Sequence, residues 1–183
     1  MKNHLSWGII GYGNASKNFL NSFDNNLSSK VSAVASKSNY NYLKEKNFLV
    51  FREYEDILKS KDIDIIYISI VNSLHKKLID LCIDNNKHIL VEKPSSLKYS
   101  ELNSSIKKIK SKNIFFKESI LYLSHPIKNK ILNIIQNNDI GNITNINSSY
   151  GFNFVKKKFL FFKNKKKYKL NIFKKNLGGG AIY

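Results

Sequence analysis

The stretch SWGIIGYGNAS, residues 6–16, constrains the fold of this chain more than any other. A short apolar run, SWGII (6–10), is a strand candidate followed by Gly11, Gly13 and small polar residues. Ala15, Phe19, Leu20 and Phe23 then recur at helical spacing, and VSAVAS (31–36) resumes as a β-branched strand. Strand, glycine turn, helix and strand within about thirty residues is the length of one βαβ unit. Gly11-x-Gly13-x-x-Ser16 therefore stands where a dinucleotide-binding turn stands, after a strand and at the start of a helix. In such a turn Gly11 permits the tight bend, Gly13 lets a pyrophosphate approach the backbone, and the helix N-terminal amides donate to the anion. Ser16 occupies the third position, where a small residue still allows close packing of helix on strand. Taken alone, the pattern would serve equally as a glycine turn.

The alternation continues downstream. YEDILKS (54–60) reads as a short helix, IDIIYISI (63–70) as a strand covered on both faces, and Leu74, Leu78, Leu81 and Cys82 as a helix face. HILVE (88–92) is a strand, Leu102, Ile106 and Ile109 mark a helix, and NIFF (113–116) is a further strand. Five strands separated by helices predict an α/β Rossmann fold, a doubly wound parallel sheet with its site at the carboxyl ends of the strands. After about residue 117 the pattern changes. Ile127, Ile131, Ile134 and Ile135 predict a helix ended by Asn138 and Gly141, and Ile146, Ser148, Tyr150, Phe152 and Phe154 alternate as a half-buried strand would. The expected domains are therefore residues 1–117 and 118–183, the latter the start of a second domain.

Composition narrows the partners. The formal charge is +18, but residues 1–91 carry twelve basic and nine acidic side chains and residues 92–183 carry nineteen and four. Residues 155–176 hold ten lysines, no acid and several aromatics, which is one way to build a strand-stacking nucleic-acid surface. Against it, Arg52 is the only arginine beside thirty lysines. A phosphate- or base-reading surface would be expected to use the arginine fork. A solvated, lysine-rich loop is the reading preferred. The longest apolar runs are too short to span a bilayer and no secretory leader is apparent, so a cytoplasmic protein is expected. The single cysteine, Cys82, excludes an internal disulfide and a multi-cysteine metal site, and no metal is expected.

The loops at the strand ends supply the candidate site. The cofactor-binding candidates begin with Gly11, Tyr12, Gly13, Asn14, Ala15 and Ser16. At the end of the second strand stand Ala35, Ser36, Lys37 and Ser38, without the carboxylate that receives a ribose 2′-hydroxyl in NAD sites. Ser36 and Lys37 are suited to a 2′-phosphate, which favours NADP over NAD; alternatively Lys37 is one more solvated lysine. Asn72 and His75 occupy the loop after the next strand, with Asn72 as a cofactor hydrogen-bonder and His75 as either a ligand or an ordinary helix-start residue. Glu92-Lys93-Pro94 closes strand 88–92, and the proline keeps Lys93 out of helical geometry, pointing toward the cleft. A partly desolvated lysine there can relay the proton of a substrate hydroxyl. Glu118, Tyr122 and His125, in KESILYLSHP (117–126), fall at the domain junction, where periodicity alone reads them as structural.

These motifs together resemble the glucose-fructose oxidoreductase and inositol dehydrogenase (Gfo/Idh/MocA) family. The likeness runs through WGIIGYGNAS, AVASKS, YEDILKSKDIDIIYISIVNSLH, HILVEKPSS, ESILYLSHP and GGGAIY, so it covers essentially the whole chain. ESILYLSHP looks most like the branch that contains dihydrodiol and D-xylose dehydrogenases. The resemblance implies NAD(P)-dependent hydride transfer on a sugar, polyol or related cyclic alcohol, a C-terminal α/β substrate domain built on an open sheet, of which residues 118–183 would be the beginning, and homo-oligomers of the full-length form. Lys93 matches the family's functional lysine, and Gly11, Gly13, Asn72, His75 and Glu92 match its cofactor-side positions. Glu118, Tyr122 and His125 are carried as substrate-side candidates beside Lys93.

The departures matter as much. Val71 stands where the family commonly has proline, and Leu123 and Ser124 replace the usual Arg-Phe before His125. The family follows GGGxxY with Asp and then His or Tyr, whereas this sequence ends at Tyr183. The expectation is an N-terminal fragment or truncated product of an oxidoreductase, with a catalytically incomplete nucleotide-binding chain as the alternative.

Overall fold

The structure, a computed structural model, describes residues 4–23, 28–149 and 177. It divides into two compact units, Met1–Ile120 with Leu170–Tyr183 and Leu121–Lys169.

The first unit is built on a six-stranded, wholly parallel sheet. Its strands are β1 (Leu5–Ile10), β2 (Ser29–Ala35), β3 (Leu49–Phe51), β4 (Ile65–Ile68), β5 (His88–Glu92) and β6 (Phe116–Ser119). They lie in the order β3-β2-β1-β4-β5-β6. The connection leaves β1 for β2 on one side and then crosses back to β4 on the other, so a crevice opens beyond the carboxyl ends of β1 and β4. Helices α1 (Asn14–Asn21), α2 (Tyr40–Leu43), α3 (Tyr54–Lys59), α4 (His75–Asp84) and α5 (Tyr99–Ser111) connect the strands.

Both faces of the sheet are buried, which is why the strands read as nearly continuous apolar runs. On one face Ile10, Ile66, Ile68, Ile89 and Val91 pack with Ile57 and Leu58 of α3 and Leu78, Ile79, Cys82 and Ile83 of α4. On the other, Ile9, Val34 and Tyr67 pack with Phe19 and Leu20 of α1 and Leu43 of α2. Gly8 is needed for this packing, because a Cβ there would stand 2.9 Å from Ile57 Cδ1.

Four elements differ from the sequence expectation. The edge strand β3 and the single turn α2 were not expected, although Phe48-Leu49-Val50-Phe51 is an apolar run of strand character. β6 begins at Phe116, three residues later than NIFF suggested, because Asn113 adopts a left-handed φ of 52° that ends α5 and delays the strand. Residues 146–149 form no strand. Alternation becomes a strand only where another strand completes the ladder, and among the described residues none pairs with this segment. Tyr150, Phe152, Phe154 and the lysine-rich segment 155–176 lie outside the described residues.

In the second unit, a 3-10 turn (Leu121–Ser124) precedes α6 (Pro126–Gln136). Pro126 opens the helix and the His125 ring accepts the Ile127 amide at 3.2 Å. Asn138 (φ 61°) and Gly141 (φ 66°) follow in left-handed conformations that end it, as expected. Ile127, Ile131, Ile134 and Ile135 on this helix remain exposed.

Candidate active site

A groove of 490 Å³ occupies the crevice at the β1/β4 switch point. It is lined by Gly11, Tyr12 and Gly13 after β1, by Ser36, Ser38 and Asn39 after β2, and by Ser69, Ile70, Val71 and Asn72 after β4, together with Tyr54, Leu74 and Leu177.

The two glycines of the first loop differ in what demands them. Gly11 has φ +101°, its amide donates to Ala35 O at 2.9 Å, and a Cβ would stand 2.5 Å from Ser69 O. The fold itself requires glycine there. Gly13 has an ordinary φ of −90°, and a Cβ built on it meets nothing within 4 Å. Among the described residues no contact demands glycine at 13, and Gly13 itself lines the groove. This is the fit expected of a turn against which a pyrophosphate packs. Asn14 and Ala15 are exposed in the first turn of α1, and Asn72 begins the short 3-10 turn that leads into α4.

Several candidates take positions other than those expected. Ser16 is fully buried and donates to Gly13 O at 3.0 Å, so it closes the turn beneath the helix and does not face the groove. His75 is also fully buried, with Nδ1 2.8 Å from Pro94 O and Nε2 3.2 Å from Ile70 O. Both ring nitrogens are directed at main-chain carbonyls, which leaves neither for a ligand. Glu118 accepts the Ser95 amide at 2.6 Å, so this carboxylate holds backbone where a substrate contact was expected. Glu92 accepts the Tyr67 hydroxyl at 2.6 Å. Burial first, and then the Glu92 carboxylate, hold the Tyr67 phenol well above its ordinary pKa. Lys93 is exposed at the carboxyl end of β5, joined to Pro94 by a cis peptide bond, and among the described residues it has no hydrogen-bond or ion-pair partner. Tyr122 and His125 belong to the second unit, where Tyr122 is exposed and His125 caps α6.

The β2 end of the groove holds the expected Ser36 and Lys37 and, beside them, residues that sequence reasoning missed. Ser36 is buried and its hydroxyl accepts the Asn39 amide at 3.2 Å. Lys37 pairs with Glu53 at 2.6 Å and lies over the Tyr54 ring, and the hydrogen bond to Glu53 raises the lysine's pKa. A smaller cavity of 120 Å³, lined by Lys37, Ser38, Tyr40, Asn41, Tyr42 and Arg52, shares Ser38 with the groove. Arg52 follows β3 directly, and the pairing of Ala35 with Phe51 brings it beside the β2 loop. It has no ion-pair partner among the described residues. The signal for Arg52 was the strand before it, whose register alone puts position 52 next to position 36.

The profile of the Gfo/Idh/MocA oxidoreductase family, NAD-binding Rossmann fold, matches residues 5–118. The chain belongs to this family. Among curated members, trans-1,2-dihydrobenzene-1,2-diol dehydrogenase of Xenopus tropicalis is 25% identical over 185 residues, covering 96% of this chain and 52% of that protein. The Bos taurus enzyme of the same name is 25% identical, over 81% of the chain and 46% of the relative. The chain thus spans about half the length of the curated relatives it matches. Scyllo-inositol dehydrogenase from Lactobacillus casei, solved with NAD(H) and scyllo-inositol, superposes with a TM-score of 0.70 at 21% identity, over 77% of this chain and 43% of its own. A point mutant of a 3-ketoreductase from Actinomadura kijaniata, solved with TDP-benzene and NADP, gives a TM-score of 0.70 at 21% identity, over 77% of this chain and 45% of its own. Family membership agrees with the strand order and with the resemblance read from the motifs. Among the described residues no helix is long and apolar enough to cross a membrane.

Proposed function

We propose that the groove binds a nicotinamide dinucleotide and that the whole protein is an oxidoreductase acting on a diol, polyol or sugar-like cyclic alcohol. The observation that carries this reading is the open space in front of Gly13 within a groove whose walls come from the β1, β2 and β4 loops. Gly11, Tyr12 and Gly13, with Asn14 and Ala15 at the helix start, would hold the pyrophosphate, and Asn72 would border the nicotinamide half. The cofactor, when bound, supplies hydride transfer at the alcohol carbon. Lys93, at the end of β5, would hold or move the proton of the alcohol oxygen. The family's dihydrodiol dehydrogenases support the substrate class. We assign the six-stranded unit, which runs to Ile120 and so past the boundary expected at 117, to the cofactor domain and the second unit to the beginning of the substrate domain, with Tyr122 and His125 kept as substrate-side candidates.

NADP is favoured over NAD. Lys37, Ser38 and Arg52 together line a small basic recess that adjoins the groove at the β2 end, the position of the adenosine ribose in this fold. A 2′-phosphate there would engage the Arg52 fork, which has no ion-pair partner among the described residues, and draw Lys37 away from Glu53. Calorimetric titration of the protein with NADP⁺ and NAD⁺ tests both steps. Tighter binding of NADP⁺ is expected, and loss of one charge-assisted contact in Arg52→Gln should weaken NADP⁺ about tenfold while leaving NAD⁺ unchanged. Failure of both dinucleotides to bind would refute the cofactor reading. Equal effects of Arg52→Gln on the two would refute the preference.

A further inference from the structure

Three side chains from three different elements converge on the four residues that carry Lys93. Tyr67, on β4, donates its hydroxyl to the Glu92 carboxylate at 2.6 Å. The His75 ring, at the start of α4, meets Pro94 O at 2.8 Å. Glu118, on β6, accepts the Ser95 amide at 2.6 Å. Tyr67 is opposite Leu90 and Glu118 opposite Val91 in the two ladders that flank β5. Side chains alternate along a strand, so Tyr67 and Glu92 lie on one face of the sheet and Glu118 on the other, the face against which α4 packs. The segment Glu92-Lys93-Pro94-Ser95 is therefore tied at the Glu92 carboxylate, the Pro94 carbonyl and the Ser95 amide, from both faces, and the Lys93 side chain between them has no partner among the described residues.

We propose that Tyr67, His75 and Glu118 are positioning residues that hold the Lys93 backbone so that its side chain reaches the cofactor groove. The proposal rests on the assignment of Lys93 to that groove. A loop at a strand end ordinarily samples several conformations, and a long side chain carried on it would spread its ammonium group over a wide volume. Ties on both sides of one residue remove that freedom in the backbone while leaving the side chain free to contact a ligand. The Ser95 amide faces a carboxylate, so its bond is of the stronger, charge-assisted kind. This arrangement also accounts for His75 and Glu118, which match family motif or junction positions yet have no access to a ligand through the groups already engaged.

Because Cys82 is fully buried, a thiol introduced in Lys93→Cys is the one exposed thiol among the described residues, and its alkylation by iodoacetamide reports on that position. The rate is measured with and without NADP⁺ at ten times its dissociation constant, in Lys93→Cys alone and combined with Tyr67→Phe, Glu118→Ala or Glu118→Gln. Calorimetry on each protein gives the dissociation constant, so occupancy is matched. With position 93 directed at the groove, bound cofactor slows alkylation about tenfold in Lys93→Cys. Glu118→Gln keeps an acceptor for the Ser95 amide and retains that protection. Tyr67→Phe and Glu118→Ala reduce it to about twofold or less at equal occupancy. Full protection in Tyr67→Phe and Glu118→Ala overturns the positioning role while leaving Lys93 at the groove. No protection in Lys93→Cys itself, with cofactor bound, overturns the assignment of Lys93 and the positioning role with it.

Discussion

Substituting alanine for each of the two loop glycines in turn should have opposite consequences. In Gly11→Ala the new side chain inherits a φ of +101°, and its Cβ would stand 2.5 Å from Ser69 O and 2.7 Å from Ile70 Cγ2. Left-handed backbone costs an L-residue about 1–2 kcal/mol. The overlap cannot be relieved by a side chain alone, since Ser69 is backbone anchored by its amide to Ile10 O at 2.9 Å. Overpacking of that kind adds about 1–3 kcal/mol, for a combined loss of about 2–5 kcal/mol. In Gly13→Ala the φ is ordinary and the Cβ meets nothing. Reduced freedom of the unfolded chain favours alanine by about 0.4–1 kcal/mol, and its poorer fit at the N-cap of α1 opposes this by a similar amount, leaving stability nearly unchanged. The same methyl group would occupy the space assigned to a pyrophosphate, so cofactor affinity should fall about tenfold or more. Trp7, 5.4 Å from Phe19 of α1, reports unfolding by fluorescence in urea, and calorimetry reports the affinity. Equal destabilisation by both substitutions, or unchanged cofactor binding in Gly13→Ala, would refute the division of roles.

Other consequences follow from the buried groups. Burial pushes the Cys82 thiol above its ordinary pKa, and burial with Glu92 does the same for Tyr67. An acid whose folded pKa is raised contributes stability that is complete below its unfolded pKa and lost as pH rises beyond it. Unfolding free energy should therefore fall above about pH 9, where unfolded Cys82 ionises, and more steeply above about pH 10, by about 1.4 kcal/mol per pH unit for each group. Chemical denaturation across that range checks this, and Cys82→Ala should remove the first component. Lys87 is buried and donates to Ser60 O at 2.6 Å and Ile63 O at 2.7 Å. Lys87→Met leaves both carbonyls without that donor and should cost about 2–4 kcal/mol in urea unfolding, with no change in cofactor affinity. Glu55 is held below the usual carboxylate range by its hydrogen bond to Lys77. That contribution is present at neutral pH and lost as pH falls through the lowered value, and its partial exposure keeps Lys77→Met within about 1 kcal/mol of the parent.

Much of the fold was legible because buried parallel strands and amphipathic helices carry different periods, and the glycine turn punctuates them. HILVE coincides with β5, and YEDILK with α3. The edge strand β3 escaped because three residues carry too short a period to separate from the loops around them. The candidate site was legible as a set of loops. Gly11, Gly13, Ser36 and Asn72 do line one groove, since strand ends in a doubly wound sheet share one edge whatever the side chains.

What each polar group does within that edge was not legible. Spacing alone cannot say whether His75 and Glu118 turn toward a ligand or toward the main chain of a neighbouring loop, because both choices have the same sequence. Residues 53 and 92 lie far from their partners 37 and 67 along the chain, and only strand register brings Glu53 to Lys37, Glu92 to Tyr67 and Arg52 to the β2 loop. The sequence by itself determined the order of elements and the edge at which a ligand would sit, because hydrophobic period and glycine placement are local properties of the chain. The tertiary structure alone decided which side chains are spent on holding the backbone and which remain for a ligand, because a hydrogen bond goes to whatever acceptor the folded sheet brings within reach.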